Sequence, residues 1–282
     1  LSIRGPLGLR PPPPDPEHPD RALVMGVVNV TPDSFSDGGR YASAEAAIAH
    51  GRELVAAGAD IVDVGGEATG PRSSPVSVDD ELSRVIPVVE ALARDGLRVS
   101  IDTTKAAVAE AALAAGATIV NDVSGGAFDP RICEILAASR ATYICGHLRG
   151  ESIAEVFARE DKELVTFDDV VRELAARLER LPDAVAGRTW IDPGLGFGKP
   201  WELNVELALG AGRLGFALDR PVVIGPSRKR FLRHLLDPEP AEADLDRATA
   251  ALCVRALEAG PLVLRVHNVA LLHAAVTAYN NM

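Results

Sequence analysis

Cysteine is scarce: Cys133, Cys145 and Cys253 are the only three in 282 residues. They are scattered, without metal-ligand spacing. An odd number with no pairing pattern points to a reducing compartment rather than a disulfide framework. No apolar run reaches the ~18 residues that a membrane span needs, so no membrane partner is expected. The first residues lack the basic-then-apolar layout of a secretory signal, and a cytoplasmic location follows as the default expectation. Basic residues are outnumbered, 29 Lys and Arg against 40 Asp and Glu, for a net charge of −11. That excludes a duplex nucleic-acid binder, which needs a basic stripe to displace counterions. It leaves room for small anionic substrates, because a few local cations outweigh distant net charge. A zinc pattern, a Gly-x-Ser-x-Gly elbow and a phosphate-binding P-loop are also missing. Gly194, Gly196 and Gly198 lack the spacing of a dinucleotide fingerprint and lie far from the first βα unit. They permit close backbone approach instead.

What the chain does have is a regular alternation. Residues 1–20 carry Pro11, Pro12, Pro13, Pro14, Pro16 and Pro19, which predicts an extended or mobile N-terminal extension. From about Arg21 to residue 282, short Val- and Ile-rich runs alternate with amphipathic stretches. The runs are Ala22–Val28, Asp60–Val64, Arg98–Ile101, Thr118–Asn121, Ala141–Cys145, Arg188–Ile191, Pro221–Ile224 and Leu262–Val266. Each is short and apolar, as strands buried on both faces should be. Helical spacing is clearest at Ser43–Ala57, Ser77–Arg94, Thr104–Ala115, Asp168–Leu181 and Ala243–Ala259. Ala57-Gly58-Ala59-Asp60 and Ala115-Gly116-Ala117-Thr118 look like helix C-caps feeding strands. Eight strand candidates alternating with helices predict an α/β fold, a single-domain (β/α)₈ TIM barrel, with an open doubly wound sheet as the rival. A barrel of this kind uses ~250 residues as one domain.

In such a barrel, chemistry collects at the C-terminal strand ends. Polar groups stand at all of these ends. Strand one leads into Asn29-Val30-Thr31-Pro32-Asp33-Ser34-Phe35, and strand two into Glu67-Ala68-Thr69-Gly70-Pro71-Arg72. Asp102, Asn121, His147 and Asp192 close strands three to six. Ser227-Arg228-Lys229-Arg230 follows strand seven, and Arg265 and His267 lie on strand eight. Asp102, Asn121 and Asp192 can read a heterocycle with alternating donors and acceptors, such as a pterin or purine edge; alternatively they cap the helices that follow. Lys229 can meet an anion or a ring carbonyl. Arg265 and His267 alternate, so they face one side, and with Ser227 they suit phosphate oxygens. His147 reads as structural. Paired-carboxylate glycoside chemistry remains compatible with the spacing, but the Lys, Arg and His cluster suits an anionic substrate better.

These residues resemble a known family. Met25 to Gly39, with Asn29-Val-Thr-Pro-Asp-Ser-Phe35 at its centre, is similar to the opening signature of the dihydropteroate synthases. Asp63-Val-Gly-Gly-Glu67, Ser100-Ile-Asp-Thr103, Asn121-Asp-Val-Ser-Gly125, Asp192-Pro-Gly-Leu-Gly-Phe-Gly-Lys199, Ser227-Arg-Lys-Arg-Phe231 and Arg265-Val-His267 follow in the family's order. The resemblance implies a barrel that forms a homodimer. It implies condensation of 6-hydroxymethyl-7,8-dihydropterin diphosphate with 4-aminobenzoate, giving 7,8-dihydropteroate and pyrophosphate for folate, in an enzyme that sulfonamides target. It further implies that Asp102, Asn121, Asp192 and Lys229 hold the pterin, with Asp102, Asp192, Lys229 and Asp33 catalytic. Asn29, Arg265 and His267 would bind the diphosphate, with Mg²⁺ at Asn29. Thr31, Pro32, Ser34, Phe35, Thr69, Phe197 and Ser227 would take 4-aminobenzoate.

Three departures stand out. The family's second loop usually carries arginine after its threonine; here Gly70 follows Thr69, and Arg72 lies two places on. The family usually has Asp after the strand-eight histidine; here it is Asn268. Gly146 and Leu148 flank His147 where methionines are common, which predicts looser pterin packing. Two alternatives follow: a non-catalytic pterin-binding paralogue, or a pterin-dependent methyltransferase on the same barrel.

Overall fold

The computed structural model describes residues 10–31, 39–71, 73–159, 164–236 and 239–281, with backbone alone for 39–43. Pro32, Asp33, Ser34, Phe35 and Arg72, all singled out above, lie outside the described residues, as do residues 1–9.

The strands are β1 Leu23–Asn29, β2 Ile61–Gly65, β3 Val99–Asp102, β4 Ile119–Asp122, β5 Thr142–Gly146, β6 Thr189–Asp192, β7 Val223–Ile224 and β8 Val263–Val266. The helices are α1 Gly39–Ala56, α2 Val78–Arg94, α3 Ala106–Ala114, α4 Ile132–Ala137, α5 Ile153–Ala158, α6 Phe167–Leu178, α7 Asp183–Ala186, α8 Trp201–Leu209, α9 Ala211–Leu218, α10 Glu242–Ala256 and α11 Val269–Asn280. All strand pairings are parallel, in the order β6-β5-β4-β3-β2-β1-β8-β7. A parallel bridge between Ile191 and Val222 joins the two edges. The expected (β/α)₈ barrel is therefore the fold, and the open sheet is not.

Strand alternation sorts the chain into two cores. One set packs under the helices. The other fills the barrel: Leu23, Met25, Ile61, Ile119, Ile144, Trp190, Val223 and Val263 form a separate buried cluster. Stepping two residues toward the C-terminal end keeps the inward parity. From Ile61 the step reaches Asp63; from Ile119, Asn121; from Trp190, Asp192; and from Val263, Arg265. The β2–β3 register sets Gly65 beside Asp102 on the same rung. The barrel interior is thus apolar below and ionic at its mouth.

The Gly58 cap is as expected. Gly58 lies at φ +103°, and a Cβ there would meet the His273 ring at 2.5 Å. Pro11 and Pro14 are buried, and Pro11 seats against Gly215 and Gly260 at the opposite end of the barrel from the ionic mouth. An extended or mobile segment was expected here. Instead His18 and Arg21 bond back to Asp15 and His18, and Arg21 pairs with Asp60, folding 10–20 onto the barrel.

Candidate active site

Arg265 is the hub of the mouth. Its Nε donates to Asp63 Oδ2 at 2.6 Å and its Nη2 to Asp102 Oδ2 at 2.6 Å. Asp63 Oδ2 also accepts from Asn121 Nδ2 at 3.0 Å. The four side chains come from β8, β2, β3 and β4, so one network spans half the barrel. Burial pushes the Arg265 guanidinium down, but Asp63 and Asp102 hold it above its ordinary value. Burial pushes the Asp102 carboxyl up to about 7 against the pull of Arg265. Asp102 does not cap α3; the first amide of that helix, on Ala106, is met by Asp129 Oδ2 at 3.0 Å.

A small pocket of about 30 Å³ opens over this network. Asp102, Asn121, Asp192, Lys229 and Arg265 line it, and so do Thr69 and Phe197. Seven of the residues singled out from sequence therefore meet at one place. Lys229 Nζ sits 4.1 Å from the centroid of the Phe197 ring. Burial pushes its ammonium down to about 8, with Arg265 adding to the shift. Asp192 Oδ1 accepts from Gly194 N at 2.7 Å, and burial raises its carboxyl. Two carboxylates, Asp102 and Asp192, and two cations, Lys229 and Arg265, line the pocket, with Asp63 buried beneath them.

Ser227 and His267 stand beside this pocket. Ser227 Oγ and His267 Nδ1 are 2.9 Å apart, and His267 N donates to Ser227 Oγ at 3.2 Å. Arg265 bonds to the carboxylates and Ser227 and His267 bond to each other, with Arg265 near enough to act on the imidazole. Burial, Arg265 and Arg228 push the imidazole down to about 3, so it is neutral at neutral pH. Asn29 ends β1 with an exposed side chain, and Thr31 follows it. Among the described residues no cluster of three or more His, Cys, Asp or Glu is placed to hold a metal. A single exposed carboxamide oxygen nonetheless fits Mg²⁺, which keeps waters and takes much of its shell from substrate phosphates.

Three residues that the sequence reading gave no role prove structural to the site. Asp63 is one: a carboxylate midway along an apolar strand, in register with inward Ile61, is the signal. Lys199 is another. Its Nζ is buried and donates to the carbonyls of Gly194 at 2.9 Å, His147 at 3.1 Å and Phe197 at 3.3 Å. Burial pushes its ammonium down to about 7. The 194–198 loop can lie this close because Gly194, Gly196 and Gly198 all have positive φ; a Cβ on Gly194 would stand 1.8 Å from His147 O. The third is Asp246 on α10, whose oxygens accept Arg228 Nε at 2.8 Å and Nη2 at 3.1 Å. His147 is structural, as expected, with Nε2 at 2.9 Å from Glu173 Oε2. Gly146 is fixed by packing, since a Cβ would meet Val123 O at 2.4 Å. Leu148 is buried in a cluster with Val156 and Phe197, so that wall is packed rather than loose.

The model of a family described as "Pterin binding enzyme" matches residues 25–267. This chain belongs to that family, among the dihydropteroate synthases. The dihydropteroate synthase of Mycobacterium leprae is 45% identical over 256 residues, covering 87% of this chain and 88% of that protein. The Xanthomonas albilineans enzyme, solved with 4-aminobenzoic acid, superposes with a TM-score of 0.83 at 40% identity, covering 93% of each chain. The Yersinia pestis enzyme in a sulfonamide drug complex superposes at 0.82 and 31% identity, covering 100% of this chain and 98% of that one. Against this family, Gly70 is accommodated without crowding, for a Cβ there would meet nothing within 4 Å.

Proposed function

We propose that the pocket above Arg265 condenses 6-hydroxymethyl-7,8-dihydropterin diphosphate with 4-aminobenzoate, releasing pyrophosphate and 7,8-dihydropteroate. The observation that carries this is the convergence of Asp102, Asn121, Asp192 and Lys229 on one buried pocket at the barrel mouth. Donors and acceptors of these types match the guanidine-like edge and ring carbonyl of a pterin.

Asp192 accepts from the pterin's amino edge and offsets positive charge as the methylene carbon loses its diphosphate. Asp102 and Asn121 accept and donate along the ring, and Lys229 donates to a ring acceptor from an ammonium that lies over the Phe197 ring. Two carboxylates hold Arg265 rigid between the ring and the leaving group. Neutral His267, kept in orientation by Ser227, donates to diphosphate oxygens. Asn29 would hold Mg²⁺, which supplies positive charge to the leaving diphosphate when bound. The arylamine is a neutral nucleophile and needs positioning more than activation. Thr69, Phe197 and Ser227 provide that positioning, together with Thr31, Pro32, Ser34 and Phe35 of the first loop. Asp33 of that loop acts in catalysis. The enzyme works as a cytoplasmic homodimer and is open to sulfonamides that occupy the arylamine position.

The test is product formation followed by mass spectrometry in the parent and in Asp192→Asn. The parent should make 7,8-dihydropteroate, and the variant should lose at least a hundredfold, as when a group acting on transition-state charge is removed. A variant with parental turnover would overturn the assignment of Asp192.

A further inference from the structure

Asn268 stands where the family usually has Asp, and the structure shows what it touches. Its Oδ1 accepts from Leu271 N at 3.0 Å and caps α11. Asp caps a helix as well as Asn does, so capping does not choose between them. The other half of the side chain does. Asn268 Nδ2 donates to Asp246 Oδ2 at 3.1 Å. An aspartate at 268 has no donor for this bond and would set a second carboxylate against the first.

Asp246 is itself engaged from three sides. It is 6% exposed, and its two oxygens receive Arg228 Nε and Nη2 as well as Asn268. Arg228 is the residue between Ser227 and Lys229. It is one of two non-glycine residues at positive φ among those described, at +58°. Its backbone N donates to Thr249 Oγ1 of α10 at 3.4 Å, and its Nη1 reaches Glu242 at 2.7 Å. The Glu242 carboxylate is exposed and screened, whereas the Asp246 pair is bidentate and part-buried, with the carboxylate itself shielded. One carboxylate on α10 therefore grips both the turn after β7 and the cap after β8. On either side of that grip stand Lys229, which lines the pocket over Phe197, and Ser227, which pairs with His267 beside it.

We propose that Asp246 is a positioning residue for the Ser227–Lys229 turn, and that Asn268 is the amide matched to it. The proposal rests on the reading of Lys229 and Ser227 as ligand-facing. A carboxylate and an amide make a complementary pair across this contact; two carboxylates do not, and two amides keep the contact but leave Arg228 without its carboxylate.

The test is a double-mutant cycle on the full chain: Asp246→Asn, Asn268→Asp and the exchange of both. kcat, KM for each substrate and thermal midpoint are measured for all four proteins. Each single change should lower kcat/KM about tenfold or more, with any fall in midpoint leaving the protein folded at the assay temperature, a size typical of coupled neighbours. The exchange restores one carboxylate and one amide across the contact but not the carboxylate under Arg228, so it should recover activity above the worse single while staying below the parent. Asp246→Asn with kcat/KM within about twofold of the parent would overturn the proposal. So would a lowered midpoint with unchanged kinetics, or an exchange no better than the worse single. If the parent itself forms no product, calorimetric titration of the pterin diphosphate into the same four proteins still decides it, because Lys229 placement governs that affinity.

Discussion

Arg265 and Asp63 are joined by a 2.6 Å hydrogen bond across the barrel mouth although 202 positions separate them in the chain. The same Asp63 oxygen accepts from Asn121, while its Oδ1 has no partner among the described residues. Asp63 thus orients two pocket residues without lining the pocket itself. Asp63→Asn keeps the shape but removes the charge and one acceptor. Stability should fall by about 1–3 kcal/mol, the range for a broken buried charged bond whose cation keeps another partner. Affinity for the pterin diphosphate should fall about tenfold, the change that 1.4 kcal/mol produces. Urea denaturation and calorimetry read the two effects. Unaltered affinity would remove Asp63 from the account of the site.

The pH dependence follows from two opposed shifts. Burial raises Asp102 to about 7 and lowers Lys229 to about 8. Pterin recognition uses the carboxylate of the first and the ammonium of the second. The carboxylate is lost as pH falls through about 7, and the ammonium as pH rises through about 8. Initial rates at low pterin diphosphate should therefore give a bell with its top between those values. His267, pushed down to about 3, adds no limb near neutrality. Asp102→Asn should lower the bell and flatten its acid side. An unchanged acid limb in that variant would assign it elsewhere.

Lys199 holds the loop that carries Phe197. Lys199→Met removes the bonds to Gly194, His147 and Phe197 while keeping most of the stem's volume. The expected result is a rise in KM for 4-aminobenzoate of about tenfold or more, since each lost charged bond is worth ~1.5–3 kcal/mol. The pterin KM should change less, because Asp102 and Asn121 lie on other strands. Steady-state kinetics with each substrate varied in turn measure the split. Equal effects on both would mean that Lys199 supports the whole mouth.

Much of this was legible in the sequence, and the reasons are physical. Short apolar runs marked every strand, but each strand begins about one residue later than its run. The polar end residues stay in the ladder: Asp102 is registered with Gly65 and Asp192 with Gly146. Asp102, Asn121 and Asp192 were visible as pocket residues because they end apolar runs. The partners of Asp63 and Asp246 were not visible, since a bond spanning 202 residues leaves no local trace. Helix α8 had no clear amphipathic stripe, being apolar on most faces, and α9 is only eight residues long. Lys199 ends its motif with no role visible in the sequence, because its partners are backbone carbonyls that only the folded loop brings together.

The most direct measurement is pyrophosphate release by the purified protein with Mg²⁺ and the pterin diphosphate, with and without 4-aminobenzoate. Release that requires 4-aminobenzoate, in step with 7,8-dihydropteroate, is the expected result. Pterin binding with no release under either condition would contradict it, and would leave the chain a pterin-binding protein without synthase turnover.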